Sequence, residues 1–165
     1  VIDERHTAPV FGDIGFISVF YVIYAGWGIT IRLLFKNTPD RIGRRKVLLV
    51  GLIAMILGYI SFCFIHPAQI WLLIIPALCC GTGHGLSYHC MTSLTLETFP
   101  EEHRGTGTAL AMMAFDLAAV IAMPIMAWLI LFAGYNAMFL SIAVTVAIVA
   151  GIFFSQHGIR RPTPR

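Results

Sequence analysis

The chain has 165 residues, 58% of them hydrophobic and only 12% charged, with a mean hydropathy of +0.84 and a net charge of +3. A soluble domain needs about a quarter of its residues charged, so a soluble enzyme, a disordered chain and a disulfide-stapled secreted domain are excluded together. The charges are clustered and leave apolar runs of about 20 residues, the length that crosses the hydrocarbon layer as a helix.

Residues 1–8 read as an extracytoplasmic N-terminal segment, with neither the basic n-region nor the cleavage site of a signal peptide. The first span is predicted over 9–35. Asp13 lies near its outer end, and Tyr21, Tyr24, Trp27 and Arg32 give it a polar-aromatic side, with Tyr24 and Trp27 the better cavity candidates. The loop that follows reads Lys36-Asn37-Thr38-Pro39-Asp40-Arg41-Ile42-Gly43-Arg44-Arg45-Lys46. Asp40 can accept hydrogen bonds from Arg44 or Arg45, or from a helix N-terminus. Gly43 permits a sharp turn or a backbone angle closed to other residues.

The second span is predicted over 47–65 and the third over 70–96, joined by the turn His66-Pro67-Ala68-Gln69. In the third, Gly81 and Gly85 are four apart and share a face that allows close helix contact. His84 and Tyr88 are also four apart and could line a path through the membrane or make ordinary interhelical hydrogen bonds. His89 lies on another face, so a paired-histidine metal site is not expected, and Cys63, Cys79, Cys80 and Cys90 read as buried small hydrophobes. Glu97, Glu101 and Glu102 belong to a solvated or Arg-paired face.

The fourth span is predicted over 106–132 and the fifth over 135–154, broken at Gly134, because about 50 apolar residues are too many for one crossing. Asp116 lies amid Met112, Met113, Phe115 and Leu117. A carboxylate facing lipid is costly, so it is expected to face the bundle interior, either as a proton-coupling or substrate-contacting site or as a hydrogen-bonded carboxyl that sets packing. Gly107, Ala111, Ala114, Ala118 and Ala122, and in the last span Ala143, Ala147 and Gly151, form small-residue faces for helix packing. Pro76 and Pro124 are expected to kink their helices mid-span. Residues 157–165 form a basic tail.

The fold class is therefore all-α, a polytopic transmembrane bundle of about five spans over 9–156. Ten Lys and Arg residues (Arg32, Lys36, Arg41, Arg44, Arg45, Lys46, Arg104, Arg160, Arg161 and Arg165) fall on one side, and only Arg5 on the other. The positive-inside rule then sets the N-terminus outside and the C-terminus in the cytoplasm. That topology accounts for the basic loops without a nucleic-acid partner.

The loop from Lys36 to Arg45 resembles a signature of the major facilitator superfamily, of the form Gly-x-Leu-Ala-Asp-Arg-x-Gly-Arg-Arg. Asp40, Arg41, Gly43, Arg44 and Arg45 match; Lys36, Thr38 and Pro39 depart from it. One span precedes the loop and three follow, and the 97–107 segment looks like the family's link between helices ten and eleven, so the five spans resemble helices eight to twelve of a twelve-helix pattern. The resemblance implies a secondary carrier of a small solute, proton-coupled and working by alternating access, in a plasma or bacterial inner membrane. It implies no cofactor and no metal. It also implies that the missing N-terminal helices, or another subunit, complete the carrier. Asp40, Arg41 and Arg44 would then latch a cytoplasmic gate, against the plainer role of fixing loop shape. The alternatives are a non-transporting scaffold or partner subunit, or an inactive truncated fragment. A membrane-embedded enzyme lacks a nucleophile constellation or metal cluster in the sequence.

Overall fold

A computed structural model describes residues 16–65 and 71–157, with side chains from residue 18 onward. The 66–69 turn, Asp13, Arg5 and the 158–165 part of the tail lie outside the described residues. Five α-helices follow one another: α1 (Phe16–Leu34), α2 (Thr38–Ile42), α3 (Arg44–Phe62), α4 (Ile74–Leu96) and α5 (Arg104–His157), with a 3-10 turn at Glu101–His103 before α5. Among the described residues there is no strand.

The α5 helix is two helices in sequence. Gly134 has φ 81° and ψ 175°, a region open in practice to glycine alone. The break falls where the length argument requires one, and the two arms cover residues 104–133 and 135–157. Pro124 lies mid-helix, as expected, and the helix runs on through it without a non-helical residue. Pro76, by contrast, is not mid-span: it sits in the first turn of α4. The backbone N–H groups there have no intrahelical partner, so the missing donor costs nothing.

The loop after α1 is also more ordered than a plain connection. Thr38–Ile42 forms a helical turn with Pro39 at its start, where its fixed φ suits the helix. Gly43 then closes α2 and opens α3 at φ 107°. Its N–H donates to the Pro39 carbonyl at 3.0 Å, and its own carbonyl accepts from Lys46 at 3.1 Å and Val47 at 3.3 Å. Helix α3 consequently begins at Arg44, three residues ahead of the predicted span, and takes the basic run into its first turn.

Helix α4 is the centre of the bundle. It packs most extensively on α3 and next on α1, while α3 also backs onto α5. Both contacts of α4 depend on glycine. A Cβ on Gly81 would lie 2.9 Å from the Tyr24 carbonyl oxygen of α1, and one on Gly85 would lie 3.0 Å from the Gly28 carbonyl. On the other side, a Cβ on Gly83 would lie 2.8 Å from the Gly51 carbonyl of α3. Small residues permit such backbone approach where lipid gives helices no hydrophobic reason to associate. The buried residues follow the same division: Ala77, Cys80 and Cys90 on α4, with Val47 and Leu48 on α3.

The two arms of α5 pack differently. The second arm closes on α3: Phe139 stacks on Phe62 with ring centroids 4.4 Å apart. Further along, Phe153 and Phe154 cover the Val47, Leu48 and Cys90 cluster. Its buried small residues are Ala143 and Ala150, a seven-residue step. The predicted Ala143, Ala147 and Gly151 stripe is corrected by this, since Ala147 and Gly151 are exposed. In the first arm, every residue from 113 to 125 is exposed, including Ala114, Ala118 and Ala122. Gly107 is buried, but against the Phe99 ring of the preceding loop rather than against another helix, and Ala111 is only half-buried.

By length and composition, α3 and the 101–156 stretch are apolar and long enough to cross a membrane, and 18–34 is a shorter apolar helix. The 101–156 stretch is more than twice the length one crossing needs, and it is the one that Gly134 interrupts.

Candidate functional site

The packing leaves α1, α4 and the first arm of α5 sharing one polar-aromatic face. Trp27 on α1 donates its indole N–H to the Thr82 hydroxyl of α4 at 2.8 Å. Tyr24 meets His84 edge to face, with ring centroids 6.1 Å apart. One turn further along α4, the Arg32 guanidinium sits 5.4 Å from the centroid of the Tyr88 ring, a cation–π contact. Tyr88 in turn reaches α5. Its hydroxyl donates to the Met112 sulfur at 3.6 Å, and its ring lies 5.8 Å from that of Phe115.

Of the predicted path residues, Tyr24, Trp27, His84 and Tyr88 are thus brought together in one set of contacts spanning α1 and α4. Asp116 stands one turn beyond Met112 and beside Phe115, exposed within this chain. Arg32 and Thr82 complete the set. Arg32 was visible in the sequence as part of the polar side of α1; Thr82 gave no signal, because a lone Thr between glycines is ordinary.

The loop residues form a second constellation at the end of the bundle where α1 finishes and α3 starts. Arg44 reaches Asp40 one turn back, at 3.4 Å, and also bonds the Glu97 carboxylate at the end of α4. The arginine is 30% exposed, while Asp40 and Glu97 are 68% and 56% exposed. One guanidinium therefore ties α2 and α3 to the last turn of α4. Arg41 is exposed and makes no ion pair among the described residues. Arg104 pairs with Glu101 at 3.3 Å within the next loop. The sequence anticipated the Asp40–Arg44 contact; the Glu97 partner, 53 residues away, is set by the depth at which α4 ends against α3.

Among the described residues no three His, Cys, Asp or Glu side chains converge as metal ligands, and the four cysteines are free thiols.

No solved structure matches the chain. A family model described as Major Facilitator Superfamily matches residues 6–165. A bundle of apolar helices with glycine-tight contacts, a polar-aromatic face and an Asp-Arg-x-Gly-Arg-Arg loop is thereby placed, and the chain belongs to the Major Facilitator Superfamily of membrane transporters.

Proposed function

We propose that the chain forms part of the C-terminal helix bundle, helices eight to twelve, of a secondary carrier that moves a small solute by alternating access with proton coupling. The observation that carries this reading is the single face on which α1, α4 and α5 gather Tyr24, Trp27, Arg32, His84 and Tyr88. Carriers of this kind hold substrate and coupling ion between two helix bundles and rock one against the other. Tyr24, Trp27, His84 and Tyr88 line the path on this side. Asp116 takes the coupling proton, since an intramembrane carboxylate is by default a functional group in need of a partner or a cavity.

The loop constellation is the gate latch. Arg44, held by Asp40 and Glu97, fixes α2 and α3 against α4 when the cytoplasmic side is shut. The basic residues of the loops put this end in the cytoplasm and the N-terminus outside, with the bilayer as solvent. Further helices, from the N-terminal part of a longer protein or from another subunit, cover the open face.

Solute uptake into proteoliposomes under an imposed proton gradient tests the reading. The gradient-driven component is expected to vanish in Asp116→Asn while gradient-independent exchange of the solute persists. Unchanged gradient-driven flux in the variant would remove Asp116 from the coupling step. Absence of flux in every oligomeric state would favour a scaffold.

A further inference from the structure

A pocket of about 230 Å³ opens where the end of α1, the α2 turn, the start of α3 and the middle of α4 meet. It adjoins the polar-aromatic face, with which it shares Arg32, and contains none of the Arg44, Asp40 and Glu97 latch. Two cations, Arg32 and Lys36, and the imidazole of His89 line it. No carboxylate does; the nearest on the loop, Asp40, is engaged by Arg44. Arg32 lies in the last turn of α1 and Lys36 in the turn just past its end, and both border the same pocket. The stacking of Arg32 on Tyr88 holds its guanidinium in place, and Lys36 has no carboxylate partner among the described residues. Most of the wall is apolar, with Phe35, Val47 and Leu86 contributing.

We propose that this pocket holds the phosphate of an anionic phospholipid between Arg32 and Lys36, with the upper acyl chain against Phe35, Val47 and Leu86. The phosphate matches the paired cations. The apolar wall has no counterpart on a free, fully hydrated phosphate and does have one on a lipid. Basic pockets between transmembrane helices at the cytoplasmic headgroup level take anionic lipids for this reason. The proposal rests on the membrane reading given above, because it sets the helix ends carrying the basic loop at the headgroup layer. It does not depend on which solute is carried.

The test uses the whole chain in nanodiscs of mixed phosphatidylglycerol and phosphatidylethanolamine, with retained lipid read by native mass spectrometry. One phosphatidylglycerol is expected to be retained in preference to phosphatidylethanolamine. Its affinity should fall roughly ten- to thirty-fold in Arg32→Gln/Lys36→Gln and stay unchanged in Arg104→Gln. Equal retention by the double variant overturns the site. Displacement of the lipid by millimolar glycerol 3-phosphate or inorganic phosphate overturns the lipid assignment in favour of a soluble anion. A second measurement is independent of the double variant's folding. With Lys46→Arg as background, Lys36 is the one remaining lysine side chain, and phosphatidylglycerol should slow its acylation relative to phosphatidylethanolamine alone. Equal acylation rates overturn the proposal. Nanodiscs offer lipid from both leaflets and report no flux. A failed lipid test therefore leaves the carrier reading intact, and a failed transport assay leaves the lipid site intact.

Discussion

Replacing Gly83 by Ala tests the packing that positions every other residue discussed above. The added Cβ would lie 2.8 Å from the Gly51 carbonyl oxygen and 2.8 Å from the Met55 backbone nitrogen. Comfortable contacts between such atoms start near 3.5 Å, so α3 and α4 must separate by more than half an ångström. These two atoms are backbone, and no rotamer change relieves them, whereas the Met55 side chain, nearer still, can turn aside. Overpacking of this kind costs about 1–3 kcal/mol, offset by at most about 1 kcal/mol from the better helix propensity of Ala. The net expectation is a loss of about 1–2 kcal/mol. Gly151→Ala is the matched control: it lies in a helix with nothing within 4 Å of its Cβ position. It keeps the propensity gain without the clash, so it should leave stability unchanged or raise it by up to about 1 kcal/mol. Unfolding of the chain in bicelles by increasing SDS, followed by helical circular dichroism, reads both. If Gly83→Ala is as stable as Gly151→Ala, the close α3–α4 approach is wrong, and with it the placement of Thr82, His84 and Tyr88 on the far side of α4.

Three further outcomes follow from local geometry. In a double-mutant cycle of Arg44→Gln with Glu97→Gln, the coupling should be about 0.5–1 kcal/mol, because both partners are partly exposed; it should shrink in high salt, and a salt-independent coupling would point to packing instead. Gly134→Ala should cost about 1–3 kcal/mol, since φ 81° with ψ 175° is closed to a residue with a Cβ; wild-type thermal stability in the variant would show that the break does not need glycine. Ser87 is 4% exposed and its hydroxyl lacks a partner among the described residues, so Ser87→Ala should be neutral or stabilising by up to about 1 kcal/mol in the same SDS titration, and a clear destabilisation would reveal a hidden bond.

The sequence carried the helices and their approximate ends because apolar run length and clustered charge are one-dimensional properties. The Gly134 break was legible for the same reason: the length of the last apolar stretch demanded it. Gly81 and Gly85 were readable as a contact face, because a four-residue step keeps both on one side of a helix. Gly83, Gly51 and Gly58 were not, because nothing in their spacing tells that α4 is squeezed from two sides. The stripe in the last helix was right at Ala143 and wrong beyond it, where Ala150 rather than Ala147 and Gly151 is buried. Alanines at 143, 147 and 150 satisfy several helical steps equally, and only the docking of Phe139 and Phe153 on α3 selects Ala143 and Ala150. Pro76 was misjudged because α4 begins at Ile74, four residues inside the apolar run that suggested a span from residue 70.

The placement of polar groups gives the open face its meaning. Helices α3 and the second arm of α5 meet through aromatic stacking and buried Val47, Leu48 and Ala143. Asp116, His84 and Tyr88 lie on the other side, on surfaces the chain itself leaves uncovered. Lipid tails offer such groups no hydrogen bonds, and a carboxylate turned into hydrocarbon costs several kilocalories per mole, by a margin that depends on how much water follows it. Water in a cavity or the polar face of further helices removes that cost. The same side chains that make the exposed face costly to turn toward lipid leave it in need of water or of a polar partner. The glycine-tight seams behind it hold α1, α3 and α4 together at backbone contact.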